Sequence, residues 1–384
     1  MNFEFQTARQ IIFGAGAAND IGPMVGSFGR RPLIVTGRDP QRGEKILARL
    51  SARGLGAVTF SVPGEPEISR VEQGTKLAQA EQCDVIIGIG GGSVLDAAKA
   101  IAAMLTNDGE LLDYLEIIGR GQALQKPSAP FIAIPTTAGT GSEVTRNAVL
   151  ASPEHKVKAS LRSPLMLPKR ALVDPELTHD LPPALTASTG LDALTQLIEP
   201  YVCLRANPMT DGLCEEGIRR AAWALPRAFA NGQDKLAREG MALASLHGGL
   251  ALANAGLGAV HGFAGPIGGM FPAPHGAVCA ALLSHVMAAN LRALRERSPD
   301  SGALERYQHI ASLLTGDPHA QAEAGVKWVE RLVVELHIPP LRTYGLTLAH
   351  IPDVVSKAAS ASSMKANPIA LTPEELAQIL AAAI

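Results

Sequence analysis

Aromatic residues are scarce in this sequence, with 9 Phe, 4 Tyr and 2 Trp among 384 residues. Few platforms exist on which unpaired bases could stack. Charge of either sign is not in excess, since 34 Lys and Arg stand against 36 Asp and Glu, and a phosphate backbone would find no basic surface to displace its counterions. Nucleic acid is therefore not an expected partner. Cysteine is sparse too: Cys83, Cys203, Cys214 and Cys279 lie far apart, without the spacing of a disulfide framework or a zinc knuckle. They read as reduced interior residues of a cytoplasmic protein. No apolar run reaches the length of about 18 residues that a membrane span needs, and the opening MNFEFQTARQIIFG lacks the basic start and apolar stretch of a signal peptide. The expectation is a soluble, non-exported protein without a membrane partner.

What the chain does have is apolar mass. Hydrophobic residues make up 47% and charged residues 18%, enough to build a large core and to exclude disorder as the main state. The length suits two domains. The first half alternates β-branched runs at 32–37, 57–62, 84–92, 131–137 and 171–175 with amphipathic stretches at 42–53 and 68–82, which predicts an α/β domain with a mostly parallel sheet. The opening segment from Phe3 to Phe13 reads as extended, an outer hairpin before the sheet proper. From Pro183 onward alanine and leucine dominate and helical periodicity recurs to the end. The expected division is 1–182 and 183–384, the join marked by Pro175, Pro182 and Pro183.

Three constellations carry chemistry. Gly88-Ile-Gly-Gly-Gly-Ser93 follows an apolar strand and precedes the helical stretch Val94 to Met104. A strand, a bare turn and a helix start turn backbone amides and the positive helix end toward one point, an anion site. Ser93 stands where a GxGxxG pattern has its last glycine, so a turn that serves packing alone remains an alternative. The second constellation, Thr136-Thr-Ala-Gly-Thr-Gly-Ser-Glu143, follows the strand FIAIP and supplies hydroxyls suited to a ribose, a pyrophosphate or a nicotinamide edge; a polar loop at the sheet edge is the other reading. In the helical half Asp192 and Gln196 share a helix face four residues apart, while His261 and His275 sit in AVHGFAGPIGG and PAPHGAV. Such a set suits one divalent cation, although ten histidines in the chain leave ordinary packing roles open as well.

These residues resemble the iron-containing, group III alcohol dehydrogenases. The similarity runs from IIFGAGA through GGGSVLDAAKA at 90–100, IPTTAGTGSEVT at 134–145, ALVDPEL at 171–177 and TGLDALTQLIEPYV at 189–202 to VHGFAGPIGGMFPAPHG at 260–276. It implies an α/β plus all-α architecture, with an N-terminal Rossmann-like parallel sheet domain, a C-terminal helical domain and a cleft between them, the fold of dehydroquinate synthase. It also implies hydride transfer between a nicotinamide cofactor and a small alcohol or aldehyde. By the same resemblance Gly90, Gly91, Gly92 and Ser93 hold the pyrophosphate with Asp96 beside it. Thr136, Thr137, Thr140 and Ser142 line the cofactor, and Lys158 faces its phosphate or its nicotinamide side. The metal positions fall on Asp192, Gln196, His261 and His275, with Asp192, His261 and His275 serving catalysis. The ion is iron or zinc.

The chain departs from the family pattern twice. Gln196 and Gly265 each stand where the pattern has His. A carboxamide oxygen binds late first-row ions less well than imidazole, so Gln196 is the poorest donor of the four; Gly265 removes a candidate proton relay. Alternatives accordingly include a metal-free reductase of the maleylacetate reductase type, a non-redox lyase resembling dehydroquinate synthase, and a non-catalytic nucleotide-binding protein. Cofactor choice is read from LIVTGRDP at 33–40. Many relatives carry Asp after the Val-Thr pair, where it would repel a 2′-phosphate; here Gly37 and Arg38 leave room for the phosphate and offer it a guanidinium. NADP(H) is favoured over NAD(H), Asp39 being the neighbour that could oppose it. A homo-oligomer, most simply a dimer, is expected through the edge formed by Phe3 to Phe13.

Overall fold

The β-branched runs of the first half become strands of one sheet. In a computed structural model, which describes residues 2–39 and 41–384, their order is β1-β8-β5-β4-β2-β3 and every neighbouring pair is parallel. The strands are β1 (Ile11–Phe13), β2 (Pro32–Thr36), β3 (Val58–Ser61), β4 (Val85–Gly90), β5 (Phe131–Pro135) and β8 (Arg170–Val173). Side chains alternate between faces with period two. Leu33, Val35, Ile86, Phe131 and Ala133 enter one core, and Ile34, Val85, Ile87, Ile89, Ile132 and Ile134 enter the other. Both faces are therefore covered, as a parallel sheet requires. Helices α1 (Ile21–Gly26) and α2 (Gln41–Ser51) lend apolar residues to the second core, whereas α3 (Ile68–Ala80), α4 (Gly92–Met104) and the short α5 (Leu111–Tyr114) lend theirs to the first.

The expected outer hairpin at Phe3 to Phe13 is not formed. Ile11–Phe13 instead joins the main sheet as an edge strand, in register with Ala171, Leu172 and Val173, because the alternative would leave the edge of β8 unpaired. The antiparallel hairpin of this unit lies later, in β6 (Asn147–Ser152) and β7 (Val157–Arg162). Its alternating burial was available as a signal in NAVLAS, followed by the turn SPEHK.

The remaining chain is helical: α6 (Pro183–Val202), α7 (Pro208–Ala230), α8 (Lys235–Asn254), α9 (Ala259–Met270), α10 (His275–Arg297), α11 (Gly302–Thr315), α12 (Ala322–Glu335), α13 (Ile351–Ser360) and α14 (Pro373–Ala383). Contacts group the chain into two compact units, residues 5–137 with 141–178 and residues 179–384 with the segments up to Glu4 and Ala138–Thr140. A three-residue piece of the threonine loop thus packs with the helices. Gly139 permits it, since a Cβ there would meet Thr189 at 2.7 Å. Helix α10 is long and apolar enough to cross a membrane by length and composition, but 78% of its most apolar window is buried within the protein, the condition of a core helix. All four cysteines are buried free thiols.

Candidate active site

Two sets of residues emerge, one in each unit. In the sheet unit the chain order reverses between β2 and β4, the place where open α/β sheets bind ligands at their carboxyl ends. Register puts Thr36 opposite Ile89 and Gly90 opposite Pro135, so Gly37, Gly91 and Thr136 leave the sheet side by side. The glycines serve close packing. A Cβ on Gly90 would sit 2.5 Å from Val94, and one on Gly91 would approach Thr137 at 3.3 Å. Gly92 and Ser93 open α4, whose Val94 and Leu95 amides return to the Gly91 carbonyl. Thr136 donates its amide to the Gly90 carbonyl at 2.9 Å, joining the glycine turn to the threonine loop. Thr137 and Thr140 are half-buried, while Thr136 is buried.

Asp96 and Ser142 are bound to each other. The Ser142 hydroxyl donates to Asp96 Oδ1 at 2.5 Å, and the Val149 amide donates to Oδ2 at 2.9 Å. Beneath them lies Lys99, wholly buried, a residue that sequence reasoning did not single out. Its ammonium donates to the carbonyls of Ser142 and Asn147 and to the hydroxyls of Ser142 and Thr145, at 2.7–3.1 Å. Burial pulls its pKa down to about 8 against the pull of Asp96, and burial pushes the neighbouring Glu143 up to about 7. The i,i+3 pairing of Asp96 and Lys99 on α4 was the available signal. Lys158 lies on β7 with its ammonium 2.9 Å from Glu65. Gly37 accepts a hydrogen bond from Ser61 Oγ on its carbonyl, and Arg38 is exposed. Asp39 caps the next helix by accepting from the Gln41 amide at 3.0 Å.

The second set belongs to the helical unit. Asp192 and Gln196 project from one face of α6, and Glu199 follows one turn on. Gly248 of α8 lets that helix lie against Gln196, a Cβ there falling 3.2 Å from the Gln196 Cβ. Gly276 does the same for α10, since a Cβ would meet the Ser188 carbonyl at 2.6 Å, and this close approach brings His275 to Asp192. His261 arrives from the first turn of α9. The result is Asp192 Oδ1 at 3.6 Å from His261 Nε2 and 3.8 Å from His275 Nε2. Cys279, four residues beyond His275 on α10, completes a group in which one ligand atom from each residue lies within 4.8 Å of the others.

Glu199 fixes the geometry. Its Oε1 accepts the Val260 amide at 2.7 Å and its Oε2 meets His261 Nδ1 at 2.7 Å. A carboxylate oxygen accepts, so Nδ1 donates to Glu199 and the ring is held with Nε2 turned toward Asp192. Sequence reasoning missed Glu199, although its spacing from Asp192 and Gln196 repeats the helix period. It also missed Cys279.

The donor set fits a divalent cation. Asp192 Oδ1 and Gln196 Oε1 are buried without a hydrogen-bond partner, an arrangement that is costly unless a further group satisfies them. Burial opposes ionisation of Asp192, but His275, His261 and Gln196 outweigh it and hold the carboxyl below its usual range. At Gly265 a side chain would meet open space. Phe263 is wholly core, Tyr114 is buried in the sheet unit, and Met270 and Phe271 are partly buried against the helical core.

Known proteins match along the whole chain. A family model described as iron-containing alcohol dehydrogenase matches residues 8–175, and one described as the C-terminal part of that family matches residues 186–384. The chain is 36% identical to 1,3-propanediol dehydrogenase of Klebsiella pneumoniae, covering 98% of this chain and 97% of that protein. It is 34% identical to NAD-dependent methanol dehydrogenase of Bacillus methanolicus, covering 96% of each. A solved structure of 1,3-propanediol oxidoreductase superposes with a TM-score of 0.92 at 35% identity over 100% of both chains.

Replacing Glu199 by Gln should release the tautomer of His261 and lower the affinity for a divalent cation by about 10–100-fold, the usual cost of losing a partner that orients a ligand. Competition with a chromophoric chelator measures it; unchanged affinity would show that Glu199 does not orient the imidazole.

Proposed function

The chain belongs to the iron-containing alcohol dehydrogenase family, and from that premise we propose that it interconverts a small alcohol and its aldehyde with NADP(H), using a divalent cation held by Asp192, His261 and His275. Action on alcohols as an oxidoreductase comes with the family. The observation that carries the finer reading is the buried, unpartnered Asp192 Oδ1 set between two imidazole nitrogens. When bound, iron or zinc supplies Lewis-acid polarisation of the substrate oxygen, and the nicotinamide supplies or accepts the hydride.

The rest is the work of this chain's side chains. Asp192 contributes the one formal negative charge of the Asp/His set, His261 is aimed by Glu199, and His275 presents its Nε2 from the start of α10. Gly90 to Ser93 offer a bare backbone and a helix N-terminus to a pyrophosphate. Asp96 works through Ser142, holding the loop whose neighbours Thr136, Thr137 and Thr140 are the groups for the cofactor; Lys158 exchanges Glu65 for a phosphate or stays with it. Gly265 provides no imidazole, so protons exchange through water. Four reduced thiols suit the cytoplasm.

Treatment with a strong chelator should abolish alcohol oxidation, and added divalent cation should restore it in the native protein but not in Asp192→Asn. Full activity of the stripped protein would favour a metal-free reductase instead.

Preference for NADP(H) rests on Gly37 and Arg38. Asp39 Oδ1 accepts the Gln41 amide at 3.0 Å, while its charge still stands next to Arg38 in the chain. A Cβ on Gly37 would meet Val94 at an ordinary 3.7 Å, so Gly37→Asp can be made without displacing the turn. It should shift the ratio of specificity constants toward NADH by on the order of tenfold or more. Native preference for NADH, or an unchanged ratio, would dismiss these two residues as the selector.

Strand β1 is an edge of the sheet, and pairing of this edge with a second copy would make the protein a dimer. Sedimentation at micromolar concentration should give twice the 40.1 kDa chain mass; a monomer overturns the assembly.

A further inference from the structure

We propose that Cys279 is a fourth, thiolate ligand of the cation site, taking the donor place that Gln196 fills poorly. This rests on the reading of Asp192, His261 and His275 as metal ligands and extends it. Cys279 lies one helical turn beyond His275, so both side chains leave α10 on the same face. Its Sγ is 3.7 Å from His275 Nε2 and 3.9 Å from His261 Nε2. With the Asp192 distances of 3.6 Å and 3.8 Å, four donor atoms form a closed ring. No separation among them exceeds 4.8 Å. A set this compact is close to what one ion needs to reach all four donors at about 2.0–2.3 Å. That is the arrangement borderline cations of the zinc type take among nitrogen, oxygen and sulfur donors.

The sulfur has little else to do. It is wholly buried, and its two polar contacts are with the imidazoles of His261 and His275. Gln196 Oε1, by contrast, is an uncharged oxygen, a harder and weaker donor for such ions than either imidazole or thiolate. On coordination the S–H bond breaks, a sulfur–metal bond forms from the same electron pair, and the proton leaves to solvent; no oxidant or reductant is involved. Asp192 and Cys279 then bring two negative charges to a divalent ion, which a set of one carboxylate and neutral donors does not. The class of ligand is therefore a softer first-row divalent cation.

Cobalt(II) provides a probe other than turnover, because thiolate ligation gives it an intense charge-transfer absorption in the near ultraviolet that oxygen and nitrogen ligands do not. The full-length protein, stripped by chelator and reloaded with cobalt to one ion per chain, should show that band. Cys279→Ser, close in volume and able to keep the helix packed, should bind cobalt at least about tenfold more weakly and lack the band at full loading. Cys279→Ala serves as the second variant, with circular dichroism to establish that both fold. Cobalt bound at one per chain without the band, or with a band that survives in both variants, overturns the thiolate and leaves the Asp192, His261 and His275 reading standing. Failure of the native protein to bind cobalt at all overturns both.

Discussion

The helical unit's chemistry depends on one buried carboxylate, that of Glu199. A helix begins with amides that have no partner in the helix, and α9 begins in the interior, where water does not reach them. Glu199 Oε1 takes the Val260 amide, and Asn367 Oδ1 takes that of Ala259 at 3.1 Å. Both acceptors crowd Gly258, where a Cβ would fall 2.9 Å from each, which is why the chain enters the helix on a glycine. The second oxygen of Glu199 then holds His261. Burying such a charge is tolerable because two donors and the positive end of a helix face it. The same contact that starts α9 thus sets the tautomer of its imidazole, so structure and chemistry cannot be varied separately at this residue.

The sheet unit is organised by a comparable buried charge of opposite sign. Lys99 has no exposed surface and spends its donors on two carbonyls and two hydroxyls of the segment Ser142 to Asn147. Asp96, 3.8 Å away, takes Ser142 and Val149. Together they pin the far end of the threonine loop onto α4, while the Thr136 amide pins its near end onto the glycine turn. A loop held at both ends presents its hydroxyls in fixed places, and that rigidity matters more for orienting a ligand than the number of hydroxyls.

Some of this was legible in the amino-acid order. The runs at 32–37, 57–62, 84–92, 131–137 and 171–175 coincide with β2, β3, β4, β5 and β8, because short runs rich in β-branched residues and bounded by turn residues favour strands. The helical character after Pro183 was equally plain, since the 3.6-residue period persisted through segment after segment. Motifs at 90–100, 134–145, 189–202 and 260–276 sufficed to show the family, as their order along the chain is far more specific than any one of them. Less visible was Ile11–Phe13, too short to carry a period; its partner is β8, 160 residues on by register.

The sequence by itself therefore determined the classes of element, their order and the family, because those follow from local periodicity and from motifs that are contiguous. Tertiary structure decided which side chains meet. Helical spacing puts Glu199, Lys99 and Cys279 on the same faces as Gln196, Asp96 and His275, but spacing does not say what each side chain meets. The places of Glu199 and Cys279 come from the close approach of α6, α8 and α10 at Gly248 and Gly276 and from the entry of α9 at Gly258, and that of Lys99 from the segment Ser142 to Asn147 laid on α4. Distance in space and removal from water set the energy of a buried charge, and neither quantity is a property of the chain until it has folded.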